Sequence, residues 1–176
     1  MIIKSEDAEK KTAILVAQLM VTAARTAPKG NGNDNLELMV VDGKEKDRLA
    51  DELRKITRVT GVDFFARDGG NIDSSHAVVL LGTRIEPIDC PNCGYCGYKD
   101  CEENRENNGI CSFNTGDLGI AIGSAASVAA NHRCDNRVLF SVGKAALNLG
   151  YFSKDVKIAY GIPLSISGKS PFFDRK

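Results

Sequence analysis

The stretch Ala23-Ala24-Arg25-Thr26-Ala27-Pro28-Lys29-Gly30-Asn31 marks where a long helix must stop and an extended segment must begin. Alanine is the best helix former. Proline is the worst, because its ring fixes φ and removes an N–H, so a helix arriving at Ala23 ends near Pro28. Upstream, residues 5–27 read as that helix. Ser5 can cap it, Glu6, Asp7 and Glu9 meet the positive end of its dipole, and Ala, Leu, Val and Met dominate afterwards. Downstream, Lys29-Gly30-Asn31-Gly32-Asn33-Asp34-Asn35 is dense in turn formers, and residues 36–42 read as a strand.

Working outward, residues 44–58 predict an amphipathic helix with Leu49, Leu53 and Ile56 on one face. A loop is expected around Asp68-Gly69-Gly70-Asn71, then a buried strand over 77–82. Residues 117–131 form a helix rich in small residues. Its Gly119, Gly123 and Ser124 permit close backbone approach, either by a packed helix, the better reading, or by a planar cofactor. A further helix is expected over 135–149, ended by Gly150, and a last strand over 157–160, with a polar tail over 165–176. Helices and strands interleave, with the cysteine-rich segment inserted before the last two helices.

The 176 residues suit one domain, 1–176, with a core of its own. Lys+Arg and Asp+Glu stand at 23 each, so bulk charge draws the chain neither to nucleic acid nor to an acidic membrane. The longest apolar run, 12–24, falls short of the roughly 20 residues a bilayer needs. The acidic residues before it do not suit a secretion signal, and a buried helix in a cytoplasmic protein is expected.

The segment 85–113 breaks this pattern. It is poor in aliphatic residues and carries five of the six cysteines, Cys90, Cys93, Cys96, Cys101 and Cys111, with Cys134 apart. A disulfide framework would spread its staples over a small secreted chain, whereas thiols clustered in one loop point to a metal. A cubane iron–sulfur cluster needs four converging thiolates, and short spacings let one loop wrap it. Gly94 and Gly97 supply tight turns and free backbone N–H donors beside the sulfurs. A structural zinc is the alternative, although zinc ribbons pair two distant Cys-x-x-Cys knuckles rather than crowding three thiols into nine residues. Cys134 reads as a small buried hydrophobe, and His76 and His132 as surface or packing residues.

The string Cys93-Gly94-Tyr95-Cys96-Gly97-Tyr98-Lys99-Asp100-Cys101 resembles the Cys-Gly-x-Cys-Gly-[Tyr/Phe]-x-x-Cys motif of Rnf-type electron-transport subunits and corrinoid iron–sulfur proteins. The resemblance implies Cys93, Cys96 and Cys101 as ligands of a [4Fe–4S] cluster, with Cys111 as the fourth and Cys90 as its substitute. Outside the insertion, the turn from Ala23 to Asn31 resembles the Ala-Arg-x-Ala-Pro-Ser-Gly-Gly-Asn turn of nitroreductase-like flavoproteins. Asp117-Leu118-Gly119-Ile120-Ala121-Ile122-Gly123 and Tyr160-Gly161-Ile162-Pro163 are similar to later parts of that fold. Taken whole, the chain looks like a small family of uncharacterised bacterial and archaeal proteins described as containing a ferredoxin domain. Residues 117–125, Asp135-Asn136-Arg137 and 161–176 carry that likeness.

These resemblances imply an α+β fold, a nitroreductase-like mixed or antiparallel sheet flanked by helices with the cysteine-rich segment as a cluster-binding insertion, together with a homodimer and FMN as a second cofactor beside the cluster. Nitroreductases open with an Arg-Arg-Ser-x-Arg segment that grips the flavin phosphate, and residues 1–11 carry nothing like it. The candidates for that grip are Arg25, Lys29, Lys169 and Arg175, with Gly30 and Asn31 offering backbone N–H groups. Arg25 and Lys29 read equally as charges that complement the end of a helix dipole. The expected function is ferredoxin-like electron transfer, coupled to a flavin in a flavin-dependent oxidoreductase, with a partner protein or a small molecule as acceptor. The alternative is a zinc- or cluster-stabilised protein without turnover.

Overall fold

In the computed structural model, which describes residues 1–173, the elements run in this order. They are α1 (Ser5–Thr26), β1 (Leu36–Val41), α2 (Gly43–Thr60), α3 (Asp63–Asp73), β2 (Ala77–Arg84), α4 (Cys101–Glu106), α5 (Ser112–Asn131), β3 (Asp135–Asn136), α6 (Phe140–Asn148) and β4 (Val156–Ser165). The four strands form one antiparallel sheet in the order β1-β2-β4-β3. The apolar run of β2 is sealed from water between its two neighbours. Leu38↔Leu81 sets its register on β1, and Leu80↔Gly161 on β4.

Alternation along the strands divides the core in two. Val79, Leu81 and Ile162 face α1 and α5, where Val16, Ala17, Met20 and Ala24 meet Leu118, Ala121, Ala125 and Ala129. Val78 and Leu80 face the other way, onto Leu49 and Leu53 of α2 and Val142, Ala145 and Ala146 of α6. The sheet is thus covered by helices on both faces, the flanking that the nitroreductase-like resemblance implies. Two helices that lie this close need small residues between them, and the alanines of α1 and α5 supply them. The Ser124 hydroxyl adds a bond to the Ala23 carbonyl at 3.0 Å.

Several expected elements differ. The loop expected around Asp68-Gly69-Gly70-Asn71 lies inside α3, packed on α2. The helix expected over 135–149 begins only at Phe140, because Asp135 and Asn136 pair with Ser165 and Leu164 as β3. The last strand runs on past Tyr160 through Pro163. Gly161 exchanges both its backbone bonds with Leu139, so Pro163, two residues on, turns its missing N–H to the same side. That side lies between Leu139 and the short β3, where no ladder bond is needed. Gly119 and Gly123 lie on the exposed face of α5 and do not mediate its packing on α1. Helix α1 is buried on one face only, and Leu15 and Leu19 remain exposed. Among the described residues, no helix is long and apolar enough to cross a membrane.

Candidate metal centre

The chain leaves β2 at the half-buried Arg84 and wraps a loop between it and α4. Left-handed backbone recurs there at Asp89, Asn92, Gly94 and Gly97, and Asp, Asn and Gly are the residues that adopt it at least cost. The Gly97 N–H bonds the Gly94 carbonyl at 3.0 Å, closing a turn between Cys93 and Cys96. The Tyr95 N–H lies 3.5 Å from the Cys93 sulfur, the kind of backbone donor that a ligating thiolate uses.

Two devices hold the loop. Arg105 of α4 donates to both carboxylate oxygens of Asp89 at 2.7 and 2.6 Å, and to the Pro87 carbonyl at 3.2 Å. That hydrogen bond holds the Asp89 carboxyl below its usual range and raises Arg105 above its own. The second is a capping arrangement at the start of α4. Asp100 accepts the Glu103 N–H at 2.9 Å, and Glu103 accepts the Lys99 N–H at 2.5 Å. Cys101 is therefore fixed at the first position of α4, while Cys111 caps α5 and is buried. Thiolates at helix N-termini are favoured by the dipole.

The consequence is a cavity of about 540 Å³ lined by Cys90, Cys93, Cys96, Cys101 and Cys111 together. All five are free thiols. Asn104 lines the same cavity, is 1% exposed, and leaves both polar atoms of its side chain without a partner. Among the described residues, no three His, Cys, Asp or Glu side chains gather as ligands of a single ion. Room, five soft donors, a backbone N–H on one sulfur and an orphaned buried amide all suit a group larger than one ion, as an iron–sulfur cluster is. Cys134 stands apart. It is 3% exposed, burial and the neighbouring Asp135 push its thiol up to about 11, and its S–H contacts the Ser165 carbonyl at 3.7 Å. The His76 ring nitrogen bonds the Ile166 carbonyl at 3.1 Å and His132 is exposed, so neither lines the cavity.

A second, apolar cavity of about 430 Å³ adjoins the first and shares Ser112 and Phe113 with it. Pro28, Lys29, Gly30, Tyr95, Asp117 and Ile120 help to line it, and the Tyr95 and Phe113 rings stack at 6.2 Å. The Gly30 N–H is bound to the Asp117 carboxylate at 3.0 and 3.1 Å, and the Asn31 amide donates to the Ile88 carbonyl at 3.2 Å. This places the turn from Ala23 to Asn31 against the cysteine loop. Arg25 is paired with Asp34 at 2.5 Å and donates to the Leu36 carbonyl at 3.1 Å. Lys29 folds back onto the Arg25 and Ala27 carbonyls at the end of α1. Lys29 thus acts at the helix terminus, whereas Arg25 ties the last turn of α1 to the segment that enters β1. Lys169 lies in an exposed turn after β4, and Arg175 lies outside the described residues.

The family model described as "Uncharacterized protein containing a ferredoxin domain" matches residues 107–175, a span that takes in Cys111 and α5. A relative from Archaeoglobus fulgidus, itself called an uncharacterised protein, is 36% identical over 183 residues, covering 99% of this chain and 98% of its own. The chain belongs to this ferredoxin-domain family.

Solved structures similar to this family member include a flavoprotein and nitroreductases. A BluB-like flavoprotein from Clostridium difficile 630 matches with a TM-score of 0.55 and 16% identity, covering 100% of this chain and 84% of that one. A nitroreductase with bound FMN from Bacteroides fragilis NCTC 9343 matches with a TM-score of 0.57 and 11% identity, covering 100% and 84%. A nitroreductase family protein from Clostridium novyi NT matches at 0.57 and 11%, covering 94% and 76%. At these identities the likeness is one of fold, and the nitroreductase-like architecture expected from the turn and strand motifs is the one observed. Sequence reasoning missed Asn104, the Asp89–Arg105 pair and the Tyr95–Phe113 stack. Only the Asp100-to-Glu103 spacing, a capping signature, could have flagged α4.

Proposed function

We propose that this family member is an iron–sulfur electron-transfer protein. Its cluster is [4Fe–4S], held by Cys93, Cys96, Cys101 and Cys111, with Cys90 as the spare thiol. The observation that carries this reading is that five cysteines from one loop and two helix starts line a single cavity. When bound, the cluster supplies one-electron chemistry. The chain's own residues set its surroundings: the Tyr95 N–H on the Cys93 sulfur, Arg105 and Asp89 bracing the loop, and α4 and α5 presenting Cys101 and Cys111. The reading takes residues 1–176 as one domain with 85–113 inserted, and the protein as a cytoplasmic homodimer. Its acceptor is a partner protein or a small molecule.

Metal and acid-labile sulfide analysis of anaerobically purified protein, with its visible spectrum, tests the proposal. About four irons and four sulfides per chain with a broad thiolate-to-iron band are expected. Zinc in a colourless protein would overturn the reading in favour of a structural site.

A second reading couples the cluster to a flavin, and the apolar cavity beside Lys29 and Gly30 favours it, since Phe113 lines both cavities. Arg25, Lys29, Gly30, Asn31, Lys169 and Arg175 are the candidates for the phosphate. Arg25 would have to exchange Asp34 for it, and the Gly30 N–H the Asp117 carboxylate. Titration with FMN, followed by quenching of its fluorescence, decides the matter. Binding weaker than about 1 mM, some 4 kcal/mol, would leave these residues structural.

A further inference from the structure

We propose that the side-chain amide of Asn104 donates a hydrogen bond to a sulfur of the cluster in the cysteine cavity, and thereby raises the cluster's reduction potential. This inference rests on the cluster reading given above.

Asn104 sits on α4 three residues after Cys101, on the same helix face. Its backbone is fully engaged: the N–H bonds the Asp100 carbonyl at 3.2 Å and the carbonyl accepts the Gly109 N–H at 2.8 Å. The side chain is different. It is 1% exposed, and neither Nδ2 nor Oδ1 has a partner, so exchanging the two amide atoms would not rescue it. A buried amide without partners is destabilising enough that native proteins rarely keep one.

Asn104 and all five clustered cysteines line one cavity. Sulfurs ligating iron are anionic acceptors, so the N–H of the amide, rather than its carbonyl, is the group they would take. The neighbourhood preserves its place. A methyl group on Gly109 would fall 2.7 Å from Asn104 Nδ2, and 2.5 Å from the Tyr98 ring. An N–H bond to sulfur strengthens as the cluster gains an electron and becomes more negative. It therefore favours the reduced state and raises the potential.

The test compares anaerobically reconstituted wild type with Asn104→Leu, an apolar side chain of similar size, and with Gly109→Ala, which displaces the amide and keeps it. Potentiometric titration followed by electron paramagnetic resonance reads the potential. Both variants should load the same iron as wild type and titrate at a more negative potential. A tenfold change in the reduction equilibrium would read as about 59 mV. Loaded variants with the wild-type potential would overturn the assignment of Asn104 alone. If Asn104→Leu does not load, Gly109→Ala carries the same two outcomes. If neither loads while wild type does, Asn104 serves assembly rather than potential, and the proposal as stated fails. A wild type that takes up no cluster would instead bring down the reading of the cavity itself, and this inference with it.

Discussion

Gly143 of α6 lies directly against the backbone of β4, and replacing it by alanine should break the seam between them. A Cβ at this position would stand 1.8 Å from the Ala159 carbonyl oxygen, 2.1 Å from its carbon and 2.6 Å from the Tyr160 nitrogen. Comfortable contact needs about 3.5 Å, so helix and strand would have to part by well over 1 Å. No flexible side chain is available to give way, since the atoms met belong to backbone held in the β2–β4 ladder. A gap of about 1 Å already forfeits up to half of a dispersion contact, and Val142, Ala145 and Ala146 would lose theirs together. We expect a loss of about 4 kcal/mol or more, a large share of the 5–15 kcal/mol a domain of this kind holds. Urea unfolding followed by circular dichroism measures it. A loss under about 1.5 kcal/mol would refute the close approach of α6 to β4, and with it the packing of this face.

Other expectations concern the site and its surroundings. Cys93→Ser, Cys96→Ser and Cys101→Ser should each abolish the visible chromophore, because a hydroxyl is a hard substitute for a soft thiolate, while Cys134→Ser should leave it. If Cys90→Ser bleaches the protein and Cys111→Ser does not, the fourth ligand is Cys90. The Glu37 carboxyl is held below its ordinary range, first by the Ser153 hydroxyl and then by the Ser153 N–H at 3.0 Å. Its stabilising contribution is therefore complete above about pH 4.5, the ordinary glutamate value, and is lost as pH falls through the lower folded value. Glu37→Gln should remove that part of the acid dependence of stability, at most about 1 kcal/mol after solvent screening. Light scattering at micromolar concentration should give twice the chain mass, and a monomer would count against the homodimer.

The sequence exposed the architecture where local chemistry and packing agree. Pro28 and the glycines after it end α1, the unbroken apolar run at 77–81 is the central strand, and the five thiols close in sequence line one cavity. It concealed the elements that tertiary contact imposes. Gly69 and Gly70 read as a loop, yet α3 runs through them. A Cβ on Gly69 would come within 3.2 Å of the Ala50 carbonyl, so glycine there lets α3 lie close on α2. The last strand reads only as far as Tyr160, yet β4 runs on through Pro163, whose missing N–H faces the gap between Leu139 and β3 where no ladder bond is needed. Within the site, the cysteines were legible by type and spacing. The partners that orient them were not, because Asp89 and Arg105 are sixteen residues apart and meet only in the folded loop.

The central claim is that the cysteine cavity holds a redox-active [4Fe–4S] cluster. Its most direct test is low-temperature electron paramagnetic resonance of anaerobically purified protein before and after chemical reduction. The account predicts a silent oxidised protein and, on reduction, a fast-relaxing signal integrating to about one spin per chain, as a one-electron cluster couple requires. No signal in either state, from protein that carries zinc and no iron, would contradict it.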